Sequence, residues 1–113
     1  MELLKISNNY SKVLVLDANN FFARLKGLIG RKLNDSTGIL LTPCNQVHTF
    51  FMSESIDVIF ISSKNQVIHI EEQMPPSKFG KRMKGAKRVL ELKGGISKQL
   101  NINIGDTLVM EKA

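Results

Sequence analysis

Short apolar runs separated by polar turn-formers dominate this chain, and the stretch PCNQVHTFFMSESIDVIFISSKNQVIHIEE, residues 43–72, concentrates them. Val58, Ile59, Phe60 and Ile61 are consecutive, too few for a helix of ordinary length, and β-branched enough to predict a strand buried on both faces. A second arm over residues 67–72 follows, joined through residues 62–66, where Asn65 can take the positive φ that a tight connection needs. This is the best hairpin in the sequence. In its second arm, simple alternation sends Ile68 and Ile70 one way and Val67, His69 and Glu71 the other, so His69 is expected to face solvent or a cleft.

Residues 3–16 predict two more strands around the turn-former cluster Ser7, Asn8, Asn9, the clearest run being Val13, Leu14, Val15 and Leu16. Asp17, Asn19 and Asn20 offer N-caps for a helix over residues 20–29, in which Phe21, Leu25 and Leu28 recur at i, i+4 and i+7 and Gly30 ends the helix. Residues 38–41, 47–52, 89–92 and 107–110 each suit a short strand, and Gly94 and Gly95 turn the chain into a helical turn near 97–100. Residues 75–87 carry no period and predict a long loop, the kind of segment on which function often sits. The elements add up to one domain over residues 1–113 that is mainly β. The expected architecture is a mostly antiparallel β barrel of six to eight short strands with one or two short helices, an α+β arrangement being the alternative.

A chain of 113 residues, 42% hydrophobic, suits a single core that needs no staples. Its one cysteine cannot make an intramolecular disulfide, and neither zinc-type Cys/His spacing nor a CxxC motif occurs, so no cofactor is expected. No window reaches the roughly 18 apolar residues of a membrane span, and MELLKISNNYSK lacks the features of a signal peptide. A soluble, cytoplasmic monomer is the expectation.

Charge changes the picture more. The formal net charge is +6, yet residues 78–98 hold eight basic residues and only one acid, Glu91, while the remainder holds eight basic and nine acidic residues. Lys78, Lys81, Arg82, Lys84, Lys87 and Arg88 follow one another with no acid between them, and form the candidate anion-binding set. Phe79 is the only aromatic among them, so a general polyanion binder is expected rather than a sequence-specific nucleic-acid reader.

Candidate chemistry gathers in the central stretch. Cys44, His48 and Met52 are spaced by four, but on a strand that spacing leaves the outer two ligands about 26 Å apart, with about 13 Å between neighbours, so no metal site is expected. Cys44, His48 and Asp57 are the candidate catalytic residues, because a thiol and an imidazole within hydrogen-bonding reach make an activated nucleophile. His48, Thr49, Met52, Asp57 and Glu91 are the candidate ligand-binding residues; Asp57 and Glu91 would work as paired carboxylates only if the fold brings them together. Asp57 also has a plain structural role open to it: placed against Val58, Ile59, Phe60 and Ile61, it must lie at a rim or find donor partners. A binding or accessory module for a small or anionic ligand is the favoured function, the alternatives being an enzyme with a Cys44/His48/Asp57 cleft and a non-specific nucleic-acid binder through residues 78–98.

The chain also resembles the family known as domain of unknown function 192, small uncharacterised bacterial and archaeal proteins. The resemblance rests on Arg24, Gly27, Leu28, Gly30 and Arg31; on Cys44, Val47, His48, Thr49, Phe50, Met52, Ile56, Asp57, Val58 and Phe60; and on Val89, Leu90, Glu91, Leu92 and Gly95, with Gly105 and Asp106 near the end. Ser53, Glu54 and Ser55 depart from a basic-aromatic-proline step common in that family before the aspartate, and residues 63–66 replace its Asp/Gly turn. The resemblance implies a compact, mostly antiparallel β barrel with small helices; it brings no established activity, cofactor or catalytic residue.

Overall fold

The apolar runs become strands of a single sheet. The computed structural model describes residues 2–8, 12–18, 37–49 and 54–112, so the helix expected over residues 20–29 and the end of the strand expected at 47–52 lie outside the described residues. The strands are β1 (Glu2–Ser7), β2 (Lys12–Ala18), β3 (Thr37–Leu41), β4 (Ile56–Ile61), β5 (Val67–Met74), β6 (Arg88–Lys93) and β7 (Val109–Lys112), and a one-turn helix, α1 (Ile96–Gln99), precedes β7. They form one seven-stranded sheet in the order β5-β4-β6-β3-β2-β1-β7. All pairings are antiparallel except β2 with β3.

The mainly β expectation holds, but the barrel does not: the sheet stays open. The two ends of the sheet approach each other at a corner, where the start of β5 meets the segment that precedes β7: Val67 N–H donates to the Asp106 carbonyl (2.8 Å), Gly105 N–H to the Val67 carbonyl (2.8 Å) and Leu108 N–H to the Asn65 carbonyl (2.8 Å). The segment reaching that corner contributes one isolated bridge, Gln66 to Thr107, before β7 leaves to pair with β1. Closure would need a continuous ladder between β5 and the outer edge of β7, and among the described residues β7 pairs with β1 alone.

β4 is buried along its whole length, as the apolar run Val58, Ile59, Phe60 and Ile61 requires, and Asp57 is buried with it. Its side chains divide the core. Ile59 and Ile61 join Val15, Leu40, Leu90, Leu92 and Ile96 on one face, whereas Ile56, Val58 and Phe60 join Ile39, Leu41, Val47, Met74 and Val89 on the other. Each such side chain removed from water contributes about 1.5–3 kcal/mol, so both faces hold the fold.

The β4–β5 hairpin forms with Asn65 at φ 61, as expected, but the alternation read along β5 needs correction. Two register shifts, between Phe60 and Ile61 and between Ile56 and Val58, insert bulges into β5. The first places Val67 and Ile70 on the face of Ile59 and Ile61 and turns Ile68 to the opposite face, where Phe60 lies. His69 packs against Phe60 with ring centroids 5.7 Å apart and the rings tilted at 42°, and it pairs with Glu71 at 3.0 Å, so it is half-buried. The second bulge holds Gln73 at φ 51 and removes its N–H from the ladder.

Candidate functional site

Of the strand expected at 47–52, residues 47–49 are described, and they contribute only an isolated bridge at His48; the whole stretch 44–49 is irregular. Its residues pair with the acid-free segment that follows β5, which is therefore an ordered loop. Lys78 and Ser77 join Thr49 (Thr49 N–H to Lys78 O, 2.8 Å; Ser77 N–H to Thr49 O, 2.9 Å), Gly80 N–H donates to Val47 O (2.9 Å), Met83 N–H to Asn45 O (2.8 Å), and Cys44 N–H to Lys87 O (3.0 Å). The Gln46 side chain adds a bond from Nε2 to the Gly80 carbonyl at 2.9 Å. A Cβ at residue 80 would sit 2.8 Å from the Val47 carbonyl oxygen, so only glycine allows the two segments to approach this closely.

Thr49 is the clamp of this ribbon. Its fully buried hydroxyl donates to the Pro75 carbonyl (2.6 Å) and accepts from Lys78 N–H (2.8 Å). Thr49→Ala strands both partners and is expected to cost about 1–2 kcal/mol, whereas Thr49→Ser keeps the bonds. Trypsin cleavage within residues 78–88, followed by mass spectrometry, should accelerate in Thr49→Ala alone; equal rates in both variants would refute the clamp.

The ribbon carries its cations outward. Lys78, Lys81, Arg82, Lys84 and Lys87 are exposed and Arg88 is half-buried. Phe79 is 68% exposed, and the fold brings a second ring to it: His48 bridges Phe79 through the backbone, and their ring centroids stand 6.0 Å apart at 30°. In the sequence Phe79 is a lone aromatic among cations; its neighbour is 31 residues away along the chain and nothing local announces the pairing.

The candidate catalytic residues are not assembled into one cleft. Cys44 packs against the face bearing Val58 and Phe60, and its Sγ–H donates to the Gln46 carbonyl at 3.2 Å. Asp57 lies opposite Leu92 and projects to the other face, towards α1. The sheet stands between them. Asp57 Oδ1 accepts from Gln73 N–H (2.8 Å), and Oδ2 accepts from Gly95 N–H (3.1 Å), Ser97 N–H (2.9 Å) and the Ser97 hydroxyl (2.6 Å). The Gln73 donor is the one released by the bulge, and the other two N–H groups belong to the first turn of α1. Gly95 is the N-cap of that helix, at φ 94, and has no side chain to cap it, so Asp57 does so from a neighbouring strand.

Glu91 is set on the opposite face from Asp57, flanked across the sheet by Ile39 and Val58, so the two carboxyls cannot act as a pair. It is fully buried, and neither Oε atom has a hydrogen-bond partner among the described residues. Burial pushes its carboxyl up to about 8 from an ordinary value near 4.5. Met52, the remaining ligand-binding candidate, lies outside the described residues. Among the described residues no group of three His, Cys, Asp or Glu side chains could hold a metal ion, and no helix is long and apolar enough to cross a membrane.

Two solved structures share this fold. A protein of unknown function from Novosphingobium aromaticivorans DSM 12444 superposes with a TM-score of 0.78 at 21% identity, over 95% of this chain and 83% of the other. A protein described as a putative transcription regulator, from Sinorhizobium meliloti 1021, gives 0.81 at 22% identity, over 96% of this chain and 92% of the other. In sequence, a UPF0127 protein of Pyrococcus furiosus is 35% identical over 101 residues, covering 86% of each chain. A UPF0127 protein of Thermococcus sibiricus is 32% identical over 99 residues, which are 83% of this chain and 64% of the longer archaeal protein. The family profile described as uncharacterized ACR matches residues 3–110, nearly the whole sheet, and with these relatives it shows that the chain belongs to the DUF192 family.

Proposed function

We propose that this protein is a binding module for phosphate-bearing anions, and that residues 78–88 are the surface that takes them. The observation that carries the reading is five exposed cations on a backbone fixed by hydrogen bonds to residues 44–49, with no acid in the segment. Cations held on an ordered backbone lose less conformational freedom on binding than cations on a disordered tail, so more of each phosphate contact reaches the affinity. A surface of this kind attracts anions at long range and weakens steeply with salt.

Replacing Lys81, Arg82, Lys84 and Lys87 together by Ala tests it. Fluorescence anisotropy with a labelled polyanion at several salt concentrations should give a linear log–log dependence, with a slope of about −0.7 to −0.9 for each phosphate neutralised. The quadruple variant should flatten that slope while its urea unfolding midpoint stays close to wild type, because exposed charges contribute little to stability. Wild-type protein that binds no polyanion at low salt, or a variant that keeps the full slope, would overturn the proposal.

A further inference from the structure

We infer that Met110 is a modification site, a methionine whose thioether is oxidised to the sulfoxide by a peroxide with the help of the Arg88 guanidinium that touches it. The inference is independent of the anion-binding reading above. It concerns a contact between β6 and β7 on the face of the sheet that carries Ile61 and Leu90.

Arg88 opens β6 opposite Ile61, and alternation through Val89 puts its side chain on the face of Ile61 and Leu90. Met110 pairs with Ile6 on β1 and packs against the same apolar cluster. In the sheet β3, β2 and β1 lie between β6 and β7, yet the guanidinium spans that face and its Nη1 donates to Met110 Sδ at 2.7 Å. The pairing is chemically uneven. A guanidinium carries five N–H donors and ordinarily meets carboxylates, phosphates or carbonyls, whereas a thioether is a weak acceptor. Among the described residues Arg88 meets no carboxylate. Packing alone would be served by an apolar neighbour, which brings no charge to the margin of the core.

Peroxide chemistry gives the pairing a use. A lone pair on Sδ attacks the near oxygen of hydrogen peroxide, the O–O bond breaks, and the far oxygen leaves with that bond's electron pair. The proton on the near oxygen passes to it, so one sulfoxide and one water result. Sulfur is oxidised by two electrons and the peroxide is reduced by two. Negative charge grows on the departing oxygen, and the guanidinium donors not spent on sulfur stand beside it, fixed before the reaction begins. Both side chains are half-buried, so the reagent reaches the sulfur in the folded protein. The sulfoxide oxygen is a stronger acceptor than the thioether, and the flexible methionine side chain lets it turn to Arg88, which holds the product in place.

Two other methionines serve as controls within the same molecule. Met83 is half-buried and lacks such a donor among the described residues, so it reports access; Met74 is 8% exposed and reports unfolding. Hydrogen peroxide in fixed excess, quenched at intervals and followed by proteolysis and mass spectrometry, should oxidise Met110 about tenfold faster than Met83, with Met74 slowest. Arg88→Gln gives the deciding sign. A guanidinium that only covers the sulfur would, once removed, expose Met110 and speed its oxidation; one that assists would leave Met110 oxidised at the Met83 rate, with Met83 and Met74 unchanged. Arg88→Lys keeps the charge and the stem but not the fork, and should fall between the two. Should Arg88→Gln unfold, seen as a rise at Met74, Arg88→Lys decides by the same sign. Wild-type Met110 no faster than Met83, or Met110 oxidation unchanged or faster in the folded variant, overturns the inference.

Discussion

Glu91→Gln is expected to stabilise the protein at pH 9 by roughly 3 to 5 kcal/mol and to leave it almost unchanged at pH 4. The unfolded chain releases the Glu91 proton near 4.5, whereas the native fold holds it to about 8. Between those values the native state binds more protons than the unfolded one, so stability falls as pH rises through that window. Below it both states are protonated and no penalty exists; above it both are ionised and the penalty is complete. Gln has the same shape and never ionises, so the difference between the two proteins isolates Glu91 from every other titrating group. Urea unfolding at pH 5, 7 and 9 measures it directly. A difference that stays constant across those three pH values would mean that the carboxyl has a partner or solvent in the native state.

The opposite sign is expected for Asp57→Ala, at about 3 kcal/mol of destabilisation, or a melting temperature lower by roughly 10 °C or more. Removing the carboxyl strands three N–H groups at once, those of Gln73, Gly95 and Ser97, and the Ser97 hydroxyl with them. Asp57→Asn keeps the volume but turns an amide nitrogen towards donors, and is expected to recover only part of the loss. Ser97→Ala removes a single bond and should cost about 1 kcal/mol. If Asp57→Ala unfolds at the wild-type urea concentration, Asp57 does not hold the bulge and the helix together as described.

These two acids show what the sequence disclosed and what it withheld. An aspartate at the head of a β-branched run had to find donors, and it does. Which donors could not be read locally, because the β4–β6 register brings Gly95 and Ser97 to residue 57 from about 40 positions away. Glu91 was visible as an acid between Leu90 and Leu92, but whether it met a partner depended on what crosses its face. The strands themselves were legible where apolar residues cluster around a single acid, as at residues 56–61 and 88–93. Alternation failed on β5 because a bulge consumes one residue without changing the composition, so Ile68 and Ile70 look equivalent in sequence and face opposite ways. Ring closure failed for a related reason: whether the outer edges of β5 and β7 meet along a ladder or only at a corner is a property of the whole sheet.

The same bulges bear on how these molecules meet one another. An open sheet leaves backbone donors and acceptors along its outermost strands, and a flat, regular outer strand is a template on which a second molecule can add its own. β5 is a poor template. Its register is broken twice, Gln73 is twisted to positive φ, and Glu71 and Glu72 place negative charge beside the rim. At the other end β7 is only four residues long and finishes on Glu111 and Lys112. The irregularity that spoils the alternation of β5 thus also discourages copies of the protein from joining edge to edge as concentration rises.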